Sequence, residues 1–295
     1  MDVVVTVDRM PRQGETITGR SWSTFPGGKG ANQALAASRA GGDVTFLGAV
    51  GDDDFGRHLT ALLHADGVDI TGVSVVDQPT GTAHITVDGA GRNAIVVIPG
   101  ANGSITGLTR AHRTAIDGAE LLLVQLELPL PVVKEAIAFA HSLGVRVLLT
   151  PAPVVALPAA LLDQVDVLIP NEPEAALLTG LGDPVAAAGQ LAQHGGDVIV
   201  TRGANGAVHV HGHDQVAVPA FTVPVVDTTA AGDTFVGVLA VALADGAGWA
   251  AALRQASAAA ALSVQRLGAS SSMPTRTGID TFLTTGAMPG GAKEH

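Results

Sequence analysis

From about residue 116 onward the chain alternates short apolar runs with helix-length segments, and that alternation limits the architectures open to it. Leu121 to Leu126 suits a buried strand, Val132 to Leu143 reads as a helix closed by Gly144, and Val145 to Thr150 is the next strand. The cycle repeats with a strand at Val165 to Ile169, helices at Pro173 to Leu178 and Pro184 to His194, and a strand at Val198 to Thr201. Repeated βαβ units predict a three-layer α/β fold, a largely parallel sheet with helices on both faces. Ligands on such sheets bind at the carboxyl ends of the strands.

The first hundred residues follow another pattern. Val3 to Val7, Thr16 to Trp22, Ala83 to Asp88 and Ala94 to Ile98 are strand-like, and the last two form a hairpin across Gly89-Ala90-Gly91-Arg92. These strands, from about 2–26 and 80–100, predict a small sheet projecting as a lid from a single domain spanning 1–295. Its uncovered face favours a homodimer. Between them lie a helix from about Ala31 to Arg39, a strand at Val44 to Val50 and a helix from about Asp54 to Ala65.

Apolar residues make up 47% of the 295, enough for a large core, and disorder is expected only in the tail after about Ala287. A net charge of −11 argues against nucleic-acid partners, which are held by lysine and arginine. No apolar run reaches membrane-spanning length, no signal peptide opens the chain, and there is no cysteine, so a cytoplasmic protein without a membrane partner is expected.

The densest chemistry lies in Val225-Val226-Asp227-Thr228-Thr229-Ala230-Ala231-Gly232-Asp233-Thr234-Phe235. Val223 to Val226 reads as a strand and Thr234 to Ala244 as an apolar helix, so Ala230 to Gly232 fall at the helix start. The first amides of a helix have no internal partner and carry the positive end of the macrodipole. Small residues there leave room for an anion, and a neighbouring Asp is placed to accept a proton from a hydroxyl that attacks a phosphate. The alternative is an ordinary capping Asp.

Pro26-Gly27-Gly28-Lys29-Gly30-Ala31-Asn32-Gln33-Ala34 lacks the Ser or Thr that a phosphate loop needs after its Lys. It reads better as a close approach of backbone to a small polar ligand, with Asn32 supplying donor and acceptor, the alternative being a plain turn and cap. Gly89 to Ala94 fits the dinucleotide pattern, yet a strand follows where a helix is required. Asn171-Glu172-Pro173-Glu174 ends a strand and suits either water-mediated magnesium or capping of the next helix. Glu127 and the turn Thr201-Arg202-Gly203-Ala204-Asn205-Gly206 also sit at strand ends. Asp52-Asp53-Asp54 reads as a helix cap rather than a metal site. His209, His211 and His213 alternate like metal ligands, but Gly212 and Asp214 place them at a hairpin tip, where exposure is expected.

Taken together, the segments Gly27 to Ala34 and Asp227 to Phe235 resemble the two signatures of the ribokinase-like (PfkB) carbohydrate kinases. Thr80-Gly81-Thr82-Ala83, Gly100-Ala101-Asn102, Gln125-Leu126-Glu127 and Pro151-Ala152-Pro153 extend the likeness over essentially the whole chain. The resemblance implies ATP-dependent phosphorylation of the 5-hydroxyl of ribose, with Asp233 as general base and the amides of Ala230, Ala231 and Gly232 as the anion hole. It assigns Asp2, Gly28, Lys29, Asn32 and Glu127 to the sugar, and Asn171, Thr201, Arg202, Gly203, Ala204, Asn205, Gly206 and Ser257 to the nucleotide side. It implies magnesium, through water, at Asn171 and Glu174, and potassium beside Asp227, Thr229, Ser263, Arg266, Gly268 and Ser272. Thr150 and Ser257 stand where relatives often carry Asn. The usual G-S-x-N-x-D approach survives only as Met1-Asp2, so the first strand of the main sheet is expected to be missing, as from a misplaced start or a truncated chain. Another sugar or nucleoside kinase of the family, such as a fructokinase or deoxyribokinase, or a sugar binder without turnover, are the alternatives.

Overall fold

A computed structural model describes residues 1–286; the expected loose tail after Ala287 lies outside the described residues. The amino-terminal part comprises strands β1 (Asp2–Thr6) and β2 (Ser21–Phe25), helix α1 (Lys29–Arg39), strand β3 (Thr45–Gly51), helix α2 (Asp54–Ala65), and strands β4 (Asp69–Val76), β5 (Thr82–Val87) and β6 (Asn93–Ile98). Then come α3 (Arg110–Asp117), β7 (Leu121–Val124), α4 (Leu130–Leu143), β8 (Arg146–Leu149), α5 (Ala159–Leu162) and β9 (Val167–Leu168). The rest comprises α6 (Glu172–Thr179), α7 (Pro184–Leu191), β10 (Asp197–Thr201), β11 (Ala207–His211), β12 (Asp214–Val218), α8 (Ala231–Ala244), α9 (Trp249–Ser263) and α10 (Arg276–Thr285).

Strands β7 to β10 pair in parallel, and the antiparallel hairpin β11–β12 extends the sheet to the order β12-β11-β10-β9-β8-β7. Val147, Leu148, Leu149 and Val167 are fully buried because helices cover both faces, which is why these strands read as continuous apolar runs. One core layer packs α4 and α7 on the sheet, and the opposite layer packs α8 and α9. Helix α8 is apolar all round since it also meets α1 and the turn of chain near α10. The lid sheet has the order β2-β1-β5-β6, with β1 and β5 parallel and the outer pairs antiparallel.

Strands β3 and β4 form a separate parallel pair. Among the described residues β3 pairs only with β4 and β7 only with β8, and a cavity of about 530 Å³ lies between their facing edges. Phe46, Leu47, Leu122, Val124 and Val241 line it.

Several expectations change. Residues 223–226 form no strand: Val225 and Val226 are exposed, and the amides of Val226 and Asp227 both turn to the carbonyl of Val264 at 2.7 and 3.1 Å. Two donors sharing one helix-end carbonyl make a clasp, not a sheet ladder. The second lid strand is Ser21–Phe25 rather than Thr16 to Trp22, because its antiparallel register sets Ser21 against Thr6 and Phe25 against Asp2. Strand β4 carries only a broken alternation through Gly72 and needs β3 beside it to form.

His209 is buried, not exposed, with its ring stacked on Trp249 at 4.1 Å and Nε2 2.6 Å from Asp197. The alternation does put His209 and His211 on one face, where both reach Asp197, but α9 covers the inner one. His211 remains exposed.

Helices α1 and α8 cross at Gly237. A Cβ there would stand 2.5 Å from the carbonyl oxygen of Gln33, 2.7 Å from Ala36 Cβ and 2.9 Å from the amide of Ala37. The glycine therefore sets how near the two helices come. We expect Gly237→Ala to destabilise the protein by about 1–3 kcal/mol in urea unfolding, since backbone rather than a flexible side chain must give way.

Candidate active site

The site begins with a backbone irregularity. Ala230 caps α8 with φ 55° and ψ 16°, the only positive φ outside glycine among the described residues. A left-handed alanine is held only where its surroundings demand it. Here its carbonyl accepts from the amide of Thr234 at 2.8 Å and from the Thr234 hydroxyl at 2.9 Å. Thr234 is fully buried, so the turn is locked from below. The amide of Ala231 folds back to Thr228 at 3.2 Å, leaving the amide of Gly232 at the open helix start. A side chain on Gly232 would meet nothing within 4 Å, so there is room above it for an anion.

Asp233 lies in the first turn of this helix but does not cap it. Its Oδ1 accepts from Gln33 Nε2 at 2.9 Å and its Oδ2 from Asn32 Nδ2 at 3.1 Å, both from α1. This excludes the capping alternative. Burial pushes the Asp233 carboxyl above its ordinary range; Lys29 and the two amide hydrogen bonds oppose the shift, and Asp2 adds to it.

Around Asp233 stand two more carboxylates, both partly buried. Burial raises both Asp2 and Glu127, and Glu127 Oε2 accepts from the amide of Lys29 at 2.8 Å. Gly27 makes this possible, since a Cβ there would stand 2.4 Å from the Asp2 carboxylate. Gly28, with φ 102°, turns the chain into α1 and so presents Lys29 and Asn32 to the same space. The structure thus gathers Asp2, Gly28, Lys29, Asn32, Glu127 and Asp233, which the sequence scatters over more than 230 positions.

Asn171 lies just beyond β9 as the cap of α6 and Thr201 ends β10, the two joined by a parallel bridge, and Gly203–Asn205 makes a short 3-10 turn beyond. Asn171 and Glu174 form a capping box: Asn171 Oδ1 accepts from the amide of Glu174 at 2.8 Å, and Glu174 Oε2 from that of Asn171 at 2.9 Å. The capping reading of this motif is therefore realised. Burial still raises Glu174. At the ends of β8 and β10, Thr150 Oγ1 and Arg202 Nε are buried without a hydrogen-bond partner, the state expected of groups that await a polar ligand. Ser257 is buried on α9.

Asp227 holds a second loop. Its Oδ1 accepts from the amide and hydroxyl of Thr229 at 2.9 and 2.6 Å, and its Oδ2 from the amide of Gly268 at 2.9 Å. Burial raises its pKa, but these bonds outweigh that and leave it below the usual value. The amide of Arg266 donates to Ser263 at 3.2 Å, and the buried Ser263 and Ser272 hydroxyls donate to carbonyls within the same region. Arg39, not singled out by the sequence, ties α1 to this loop through the carbonyls of Ser270 and Met273 while gripping Asp66. Asp53 caps α2 through the amide of Gly56 and also holds Thr80, so the Asp triplet is structural.

The description "pfkB family carbohydrate kinase" matches residues 1–276. The chain belongs to this family. It is 41% identical over 286 residues to a ribokinase of Bacillus subtilis, covering 96% of both chains. It is 36% identical over 296 residues to a deoxyribokinase of Salmonella typhi, again with 96% of each chain covered. A solved structure of Arabidopsis thaliana ribokinase, described as complexed with ribose and ATP, superimposes with a TM-score of 0.90 at 33% identity, over 96% of this chain and 95% of that one. The ribokinase-like α/β fold with a lid sheet is therefore this chain's fold.

Within this carbohydrate kinase the strained start of α8 has a thermodynamic cost. Folding raises the Asp233 pKa, so the native state binds its proton more tightly than the unfolded chain. Stability from this group therefore falls as pH rises from the ordinary Asp value through the raised one, and stays lost above it. Asp233→Asn should accordingly unfold at a higher temperature than wild type at pH 7, with the difference vanishing in acid, as read by calorimetry at several pH values.

Proposed function

We propose that the protein transfers the terminal phosphoryl group of ATP to the 5-hydroxyl of D-ribose. One observation carries this reading: a largely desolvated carboxylate, Asp233, is held by Asn32 and Gln33 and shares its surroundings with Lys29, Asp2 and Glu127 while standing one residue from an open helix start. Phosphoryl transfer needs little covalent help from protein, so alignment and charge stabilisation supply most of the rate. In this reading Asp233 takes the proton of the attacking hydroxyl, which a raised pKa favours near neutral pH. Asp2, Glu127, Asn32 and the backbone at Gly28 and Lys29 hold the remaining hydroxyls. The Gly232 amide, with Ala230 and Ala231 shaping the turn, faces the transferring group.

The nucleotide is assigned to Asn171, Thr201 to Gly206 and Ser257, and the unpartnered Thr150 and Arg202 atoms there fit a phosphate-bearing ligand. Magnesium fits as a water-mediated ion, since Asn171 and Glu174 each have one oxygen engaged in the capping box and no group of three acidic, His or Cys residues among the described residues is arranged to hold a metal ion directly. When bound it supplies charge neutralisation for the phosphates. A monovalent cation such as potassium fits the loop of Asp227, Thr229, Ser263, Arg266, Gly268 and Ser272 through carbonyls, because both Asp227 oxygens are already used in shaping it. Homodimerisation through the lid is supported by its bare apolar side chains: Trp22, and Ile95 to Ile98 alternating over the two faces of the sheet, are all about half exposed or more.

The deoxyribokinase relative makes 2-deoxyribose the competing substrate. Buried carboxylates that hydrogen-bond a hydroxyl reject an analogue lacking it, by up to about 10⁴–10⁵-fold. Sugar-dependent ADP release across ribose, 2-deoxyribose, fructose and nucleosides decides the matter: ribose should give the highest kcat/KM, and no sugar-dependent release at all would mark a binder. Asp233→Asn should lose turnover yet retain ribose binding by calorimetry. More than about a tenth of the wild-type rate would remove Asp233 as the base.

A further inference from the structure

The two hydrogen bonds on Asp233 are not equivalent. Asn32 is slightly exposed and borders the space assigned to the sugar, whereas Gln33 is completely buried and cannot touch a ligand there. Gln33 also has its other amide atom occupied, because Gln125 Nε2 donates to Gln33 Oε1. That bond fixes the orientation of the Gln33 amide. With its oxygen engaged by a donor at the end of β7, its nitrogen must face Asp233. Gln125 is itself packed closely, its Oε1 lying 3.0 Å from where a Cβ on Gly30 would stand. Gly237, one turn beyond Asp233 on α8, lets the backbone of Gln33 come near enough for its side chain to reach.

We propose that Gln33 is a positioning residue for the general base, its amide oriented by Gln125 so that Oδ1 of Asp233 is permanently tied and Oδ2 is the oxygen that accepts the proton. The inference rests on the kinase reading of the site. Among the described residues Oδ2 is held only by Asn32, whose amide can turn to a sugar hydroxyl on binding. Gln33 cannot exchange partners in this way, so it sets the carboxylate plane before the substrate arrives. Preorganisation of this kind is where a small displacement costs rate rather than affinity.

The Gln33 bond also favours the ionised carboxylate against the burial that disfavours it. The charged groups facing Asp233 are Lys29 at the start of α1, Asp2 on β1, Glu127 after β7 and Glu174 on α6. None of these is altered by replacing Gln33, so a change in the titration of Asp233 reports the lost hydrogen bond itself.

The test uses Gln33→Leu and Gln125→Met in the full chain, with a carbon-13 carboxyl titration of Asp233 assigned by its absence in Asp233→Asn. Gln33→Leu should move the Asp233 titration to higher pH, and Gln125→Met should move it the same way by less, since the Gln33 amide is then free to flip. In steady-state kinetics kcat should fall on the order of 10- to 100-fold in Gln33→Leu with the sugar KM nearly unchanged, and the acidic limb of the kcat/KM profile should follow the titration. A purely structural role would lower the melting temperature and leave the titration where it is in wild type; that outcome overturns the proposal. The titration needs no turnover, so a protein without sugar-dependent ADP release would defeat the kinase reading while the positioning of the carboxylate was still decided.

Discussion

Everything in the site depends on keeping one carboxylate ionisable inside the protein. A carboxylate removed from water is unfavourable unless hydrogen bonds and charges replace the lost solvation. Here α1 brings two amides to Asp233, Lys29 brings a positive charge to its vicinity, and the start of α8 points its free amides into the same space. The two helices can do this only because Gly237 lets them nearly touch. The chemistry and the helix packing are therefore one constraint, and the left-handed Ala230, held by Thr234, starts the helix that carries both.

The rest of the fold can be understood as delivery to that point. Parallel strands β7 to β10 end on the same side, so Gln125, Glu127, Asn171 and Thr201 arrive together from segments far apart in sequence. The lid strand β1 brings Asp2 in from above, against a glycine that leaves space for its carboxylate. Arg39 and Asp227 hold the loop behind the helix start by hydrogen bonds to carbonyls and amides, while Met273 packs into the apolar layer beside α1.

The gap between β3 and β7 sits against this arrangement, and Gln33 and Gln125 lie among its lining residues. The proposed positioning residues therefore lie between Asp233 and the edges of two sheets. Their amides satisfy each other and Asp233, which explains how polar groups persist beside an apolar cleft.

Much was legible in the sequence, where local chemistry decides the outcome. Gly144 closes α4 in the left-handed conformation, Asp53 caps α2, the turn before Asn93 joins a hairpin, and the apolar runs of β7 to β10 are buried strands, all from signals carried within a few residues. The two glycine-bearing segments and Asp233 stood out for the same reason. Long-range partners decided the rest. Val223 to Val226 is apolar enough for a strand but finds only the carbonyl of Val264, and His209 looks like a hairpin-tip residue until Trp249 covers it. Asn171 and Glu174 carry a capping box that spacing alone leaves open to other uses. Gln33 was visible only as a neighbour of Asn32; that its amide faces Asp233 follows from the crossing of α1 over α8, and a helix sequence does not say which other helix its buried face will meet.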